Sequence, residues 1–281
     1  MKRRLLAFSM VAVLGAVLVG CEEKEAGSPG STPAPAEDNT FVVGMEANYP
    51  PYNWSQLNDE NGAVQIGDSM EYAGGYDVEI AKRIAEGLGK ELVIVKSEWD
   101  SLIPSVETGK IDAIIAGMSP TAERKESIDF TDSYYDSQIV MVVNSQGPYA
   151  EATSLEDFEN AKVTAQLNTF HYSLVDQIPG ADPQEAMIDF ATMRVSLLAG
   201  KIDAYISERP EGLSAEMADP NYKMIVINEG FELNKEERVT AIGLEKGSDL
   251  VDDINEILAG ISAEERNELM DQAMLDQPLM Q

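Results

Sequence analysis

The chain has 281 residues, 44% of them apolar, enough for one or two domains with cores of their own. Its 20 Lys and Arg against 50 Asp and Glu give a formal net charge of −30, a surface that repels phosphate backbones and argues against a nucleic-acid partner. One cysteine, Cys21, excludes a disulfide within the chain, and one histidine, His171, leaves Ser–His, Cys–His and His/Cys metal chemistry almost without parts.

The chain opens with Lys2, Arg3 and Arg4, followed by an apolar run over residues 5–19 that is short for a membrane-spanning helix. The run ends Leu18-Val19-Gly20-Cys21. That ending resembles a bacterial lipoprotein signal, in which the cysteine becomes the lipidated first residue; a plain secretory signal with an incidental cysteine is the other reading. Residues 1–20 are thus expected to be removed. That takes away three positive charges and no acid, so −30 becomes −33. Residues 21–39, rich in Pro, Gly, Ser, Ala and Glu, are expected to tether the lipidated Cys21 to the folded part. The expected location is the cell envelope, outside the cytoplasm and anchored to the membrane through that lipid.

The folded part begins with a short buried strand over residues 41–45, then a polar, aromatic loop stopped by Pro50-Pro51. Residues 77–88 carry Val78, Ile80, Ala81, Ile84, Ala85 and Leu88 at helical spacing, with Gly89 as the stop. A strand over 91–95, a helix over 100–108 ended by Gly109, and an apolar, β-branched strand over 111–116 follow. Thr121 is placed to cap a helix through Arg124 and Lys125. Near the end, residues 250–275 form two amphipathic helices split at Gly260-Ile261-Ser262, and Ser262 with Glu265 has capping-box spacing. This alternation predicts an α/β fold with largely parallel sheets.

One internal echo stands out. Gly109-Lys110-Ile111-Asp112-Ala113 and Gly200-Lys201-Ile202-Asp203-Ala204 each follow a helical stretch and open a strand. Both strands run into polar loops, Gly117-Met118-Ser119 and Ser207-Glu208-Arg209. Ligands of open α/β sheets bind beyond the carboxyl ends of strands, so two such ends in two lobes can face one cleft. Chance identity of five residues is the alternative. No nucleophile elbow, phosphate loop or metal cluster is present, and no cofactor or metal is expected. Carboxylate pairs are expected by chance among 50 acids, so they identify no glycosidase.

Two stretches carry a family resemblance: Gly74-Gly75-Tyr76-Asp77-Val78-Glu79-Ile80-Ala81, and the run from Trp99-Asp100-Ser101-Leu102-Ile103-Pro104 through Gly117-Met118-Ser119-Pro120-Thr121 and Arg124 to Asp129-Phe130-Thr131-Asp132-Ser133-Tyr134-Tyr135. The chain resembles, over residues 40–281, the bacterial extracellular solute-binding proteins of family 3. The resemblance implies a periplasmic-binding-protein-like type II fold, two α/β lobes joined by two crossing strands that close on the ligand. Lobe I is expected over 40–136 and 241–281, lobe II over 137–240, with crossings near 135–139 and 239–243. It implies a monomer that captures a polar, preferably basic, free amino acid and delivers it to an ABC transporter permease.

A zwitterionic ligand defines what the site must hold. A desolvated carboxylate needs a planar cationic donor, which Arg124 supplies, with Ser119 and Thr121 at a strand-to-helix turn beside it. An exposed surface arginine is the bland alternative. Thr169 resembles the family's second-lobe carboxylate donor; the family usually has Gly before it, and here stands Asn168, which tolerates left-handed backbone. The ammonium needs acceptors: Glu208, where relatives generally have Asp, and the Gly117 carbonyl. Tyr49, Tyr52, Trp54 and Trp99 are either core or pocket walls, with Tyr49 and Trp99 in family positions that sandwich the ligand side chain. Glu46 lies where binders of basic amino acids carry an acid. Glutamine or cystine is the alternative ligand. A cyclohexadienyl or arogenate dehydratase on the same fold is the alternative activity, with Glu208 or Glu46 as its acid. A sensory module is a third reading.

Overall fold

The computed structural model describes residues 39–228 and 230–278. The expected signal segment, the lipidation site Cys21 and all of the tether but Asn39 lie outside the described residues.

In chain order the first lobe is built from β1 (Thr40–Met45), β2 (Asn48–Tyr49), β3 (Asn53–Gln56), β4 (Val64–Gln65), β5 (Tyr72–Gly74), α1 (Tyr76–Leu88), β6 (Glu91–Lys96), α2 (Trp99–Glu107), β7 (Ala113–Ile114), α3 (Arg124–Ser127) and β8 (Ile128–Asp136). The second follows with β9 (Ile139–Asn144), β10 (Lys162–Thr164), α4 (Phe170–Ser173), β11 (Asp182–Pro183), α5 (Phe190–Leu198), β12 (Ala204–Glu208), α6 (Arg209–Ala218) and β13 (Tyr222–Ile225). The chain then returns through β14 (Val239–Glu245) to α7 (Leu250–Ala259) and α8 (Ala263–Asp276).

Two five-stranded sheets result, ordered β6-β1-β7-β14-β8 and β11-β10-β12-β9-β13. The expectation of largely parallel sheets needs correction. In the first, β1 pairs in parallel with β6 and β7, whereas β14 runs antiparallel to β7 and β8. In the second, β10 pairs in parallel with β11 and β12, whereas β9 runs antiparallel to β12 and β13. The chain passes between the lobes twice, outward from β8 into β9 and back through β14. These strands supply the antiparallel halves. The two crossings touch where Ser137 N–H donates to the Arg238 carbonyl at 2.8 Å.

The helix stops fall where periodicity placed them. Gly89 (φ 66) ends α1 in the left-handed region, where a side chain would be strained. The strand expected over 111–116 is regular only at Ala113–Ile114, with Asp112 and Ile115 extending its bonds to β1 alone. Ser262 caps α8 by accepting from Glu265 N–H.

The echoed pentapeptides build the same local structure. In the first lobe Asp112 N–H donates to the Val42 carbonyl at 2.8 Å, and its carboxylate accepts from Val42 N–H at 2.7 Å. In the second, Asp203 makes the same two bonds to Lys162, at 2.8 and 2.9 Å. Ile111 and Ile202 are both buried beneath these clamps, and Gly109 and Gly200 both have positive φ. Each clamp locks the start of a central parallel strand to its neighbour, and the strands then run on for different lengths, to Ile114 and to Glu208.

Buried Phe41, Val43, Ile80, Ile94 and Ile114 form the first core, and this packing continues without a break to Phe190, Met193 and Tyr205 of the second lobe. Met141, Val143, Val163 and Ile206 fill the other face of the second sheet. The lobes therefore meet through an apolar contact with polar strand ends around it.

Candidate functional site

Four parallel strands aim their carboxyl ends at the space between the lobes. Beyond β1 stands Glu46; beyond β7, the Gly117–Ser119 turn and then Arg124; beyond β10, the 166–169 turn; at the end of β12, Glu208. A cavity between them is lined by Tyr49, Trp99, Gly117, Ser119, Arg124, Gln166, Thr169, Phe170, His171 and Phe190. Its volume of 20 Å³ has room for about one or two waters. A molecule larger than a water or two enters only after the lobes part or the aromatic walls turn aside.

The cationic wall belongs to the first lobe. Arg124 donates to the Ser119 carbonyl at 2.9 Å and across the cleft to the Asn168 carbonyl at 3.4 Å, with its guanidinium 5.0 Å over the Trp99 ring. Burial lowers its pKa to about 10, against the pull of Glu123 and Glu208, so it stays charged near neutrality. Thr121 Oγ1 accepts from Arg124 N–H at 3.4 Å, although α3 begins at Arg124 with Glu123, and not the expected Thr121, at its cap position. Gly117 (φ 62) donates its N–H to Tyr134 Oη, whose hydroxyl donates to the fully buried Asp77. A Cβ at Gly117 would meet the Tyr49 ring at 2.9 Å, so glycine is required there by both φ and space. The Met118 carbonyl accepts from Ala241 N–H on β14, which ties this turn to a crossing strand.

The anionic wall belongs to the second lobe. Glu208, 2% exposed, accepts from Tyr52 Oη at 2.8 Å and Tyr49 Oη at 3.3 Å. Burial raises its pKa to about 7, partly opposed by the two tyrosine hydroxyls. The longer glutamate thus reaches two hydroxyls of the other lobe. Thr169 donates its hydroxyl to the Gln166 carbonyl at 2.8 Å, which holds the turn in shape. Asn168 adopts φ 55, the left-handed backbone foreseen for it. Its side chain donates to Asp100 at 2.8 Å and its carbonyl accepts from Trp99 Nε1 at 3.3 Å, both across the cleft.

Of the residues expected at the site, Tyr49, Trp99, Gly117, Ser119, Arg124 and Thr169 line the cavity. Met118 and Thr121 line an outer groove of 970 Å³ that shares Trp99, Arg124 and Thr169 with it. Glu46 and Glu208 stand one layer behind the cavity wall. Glu46, 8% exposed, accepts from Gln166 Nε2 at 3.1 Å, and burial raises its pKa to about 7 despite that bond. Tyr52 and Trp54 are buried in the core, and Tyr52 reaches the site only through its hydroxyl.

Sequence reasoning did not reach Gln166, Phe170, His171 and Phe190. Phe190 stacks on Tyr49 across the cleft at 4.5 Å, and Tyr49 stacks in turn on Tyr52 at 4.9 Å. The available signal for Gln166 and His171 was their closeness in sequence to Thr169. For Phe190 it was Asp189, a helix cap placed directly before it, which accepts from Thr192 N–H at 2.7 Å.

Comparison with known proteins bears on the family and the fold. The family model for bacterial extracellular solute-binding proteins, family 3, matches residues 41–275. A probable histidine-binding protein of Campylobacter jejuni is 32% identical, over 74% of this chain and 75% of its own. An L-cystine-binding protein of Escherichia coli is 27% identical, over 89% and 88%. Among solved structures, an amino acid ABC transporter substrate-binding protein of Streptococcus pneumoniae bound to L-arginine superposes with a TM-score of 0.74 at 28% identity, covering 84% of this chain and 94% of that one.

Proposed function

This chain belongs to the bacterial extracellular solute-binding proteins, family 3, and on that footing we propose that it captures a free basic amino acid between its lobes and presents it to an ABC transporter permease. The observation that carries the reading is one small cavity with a guanidinium on one wall and a buried carboxylate behind the other. Arg124, with Ser119, Thr121 and Thr169, takes the ligand carboxylate. Glu208 takes the ammonium, with the Gly117 and Met118 backbone beside it, and Tyr49 yields its place next to Glu208 as the ammonium arrives. Tyr49 and Trp99 sandwich the ligand side chain, and Glu46, freed from Gln166, faces its cationic end.

In this reading residues 40–136 with 241–281 and residues 137–240 are the two bodies that hinge about the crossing strands. Closing brings Asn168 onto Trp99, Asp100 and Arg124. Cys21 carries the lipid that keeps the protein at the membrane face, after residues 1–20 are removed. The protein acts as a monomer. The relative named for histidine and the arginine-bound structure support a basic ligand. The cystine-binding relative supports a neutral polar ligand as the second reading.

Calorimetry with arginine, lysine, ornithine, histidine, glutamine and cystine tests this. Heat from the basic amino acids supports the proposal. Tight binding of a neutral one, with no response to arginine, lysine, ornithine or histidine, overturns the basic preference.

A further inference from the structure

His171 stands on α4 of the second lobe, 7% exposed, with its ring against the cavity. Among the described residues neither Nδ1 nor Nε2 finds a hydrogen-bond partner. Orphaned buried polar atoms are destabilising, and a leucine or methionine would pack against Phe170, 4.2 Å away, without that cost. A histidine kept in such a place is accounted for by a partner that arrives from outside.

The geometry around it says which chemistry that partner brings. Nε2 lies 3.7 Å from Glu208 Oε1, too far for a direct hydrogen bond. The other carboxylate oxygen, Oε2, already accepts from Tyr49 and Tyr52. A nitrogen seated about 2.9 Å from both Nε2 and Oε1 spans the gap, and an ammonium has the separate N–H donors to serve each. Burial first, and then the nearby Arg124, which is engaged with the Ser119 and Asn168 carbonyls, oppose a positive charge on the ring. The imidazole in this position is therefore neutral and has one nitrogen able to accept.

We propose that His171 is a ligand-recognising residue: its neutral imidazole accepts a hydrogen bond from the α-ammonium of the bound amino acid, which it shares with Glu208. The assignment rests on the amino-acid reading above. It deepens that reading, because the acceptor set for the ammonium then comes from α4 as well as from the end of β12. A ligand without an α-ammonium has no use for it.

The test is calorimetry on the folded chain with L-arginine, with L-glutamine and with the acid that matches arginine but lacks the α-amino group. His171→Leu, with His171→Met as a second apolar replacement should leucine fail to fold, is expected to weaken the amino acid that binds by at least tenfold. It is expected to leave the des-amino acid within about twofold. His171→Gln, whose amide oxygen accepts, is expected to hold the amino acid within about threefold. The ligand-free apolar variant is expected to melt higher than the unmodified chain, since two orphaned atoms are gone. Unchanged amino-acid affinity in the apolar variant, or an equal loss for the amino acid and its des-amino counterpart, overturns the assignment. If no amino acid binds the unmodified chain, the proposed function fails and takes this assignment with it.

Discussion

The two Gly-Lys-Ile-Asp-Ala segments share a glycine of positive φ, a buried isoleucine and an aspartate clamp, and lead to opposite charges. Asp112 clamps β7 to β1 through Val42, and Asp203 clamps β12 to β10 through Lys162, with bond lengths that agree within 0.2 Å. Beyond the first strand the chain makes a glycine turn and reaches Arg124. Beyond the second it stops at Glu208, which opens α6. The frame is repeated and the charge is not. A short module fixes where a strand begins, and on the proposed reading the residues beyond it set which end of a zwitterion that lobe takes.

The comparison breaks most visibly at its charged tips. Arg124→Ala is expected to weaken every amino-acid ligand about a hundredfold by calorimetry, the size of losing a charge-assisted contact to a desolvated carboxylate. A folded variant with unchanged affinity would remove Arg124 from the site. On the opposite lobe, Glu208→Gln is expected to weaken binding about tenfold at pH 8 and less at pH 5, because at pH 5 the ligand-free carboxyl, with its pKa near 7, is protonated and must give up that proton to hold the ammonium. The same substitution has a sign in stability. A buried acid whose pKa rises from 4.5 to about 7 contributes stability below pH 4.5, and that contribution is lost as pH rises through 7. Ligand-free Glu208→Gln should therefore melt above the unmodified chain at pH 8 and close to it at pH 5. Equal shifts at both pH values would mean that Glu208 is not the titrating group.

Smaller effects sharpen the likeness of the two frames. Asp112→Ala and Asp203→Ala should each cost about 1 kcal/mol in chemical denaturation, one backbone-to-carboxylate bond lost from equivalent clamps. A gap of more than about 1 kcal/mol between them would end the equivalence. Asn168→Gly keeps the left-handed turn and removes the bond to Asp100, so affinity should fall only about threefold. A tenfold loss would make this interlobe contact a principal support of the closed form.

Much of this was legible in the residues. Apolar spacing and glycine stops placed α1, α2, α7 and α8, because these are local signals with a fixed period. The pentapeptide echo located where both strands begin; their ends differ from expectation, since β7 stops at Ile114 and the polar loop expected at Ser207-Glu208-Arg209 is instead the last residues of β12 and the first of α6. Asn168 was foreseen in left-handed backbone because only a few residue types tolerate it. What stayed hidden depends on the lobes coming together. The antiparallel halves of the sheets follow from the chain crossing twice, and strand direction leaves no mark on a short apolar run. Gln166, His171 and Phe190 acquire meaning only from what faces them in the other lobe. Glu46 and Glu208 read as pocket residues, yet the structure sets both one layer back, behind Gln166 on one side and the Tyr49 and His171 rings on the other.

The Trp99 indole donates to a carbonyl of the opposite lobe and lies beneath a guanidinium, whereas Trp54, the chain's other tryptophan, donates to Gln56 within its own lobe. On the hinged reading proposed above, the molecule carries a built-in optical gauge of its own opening: one fluorophore whose surroundings change when the halves separate, and a second that stays constant as the reference. Emission recorded during titration can follow domain movement in solution without any attached dye.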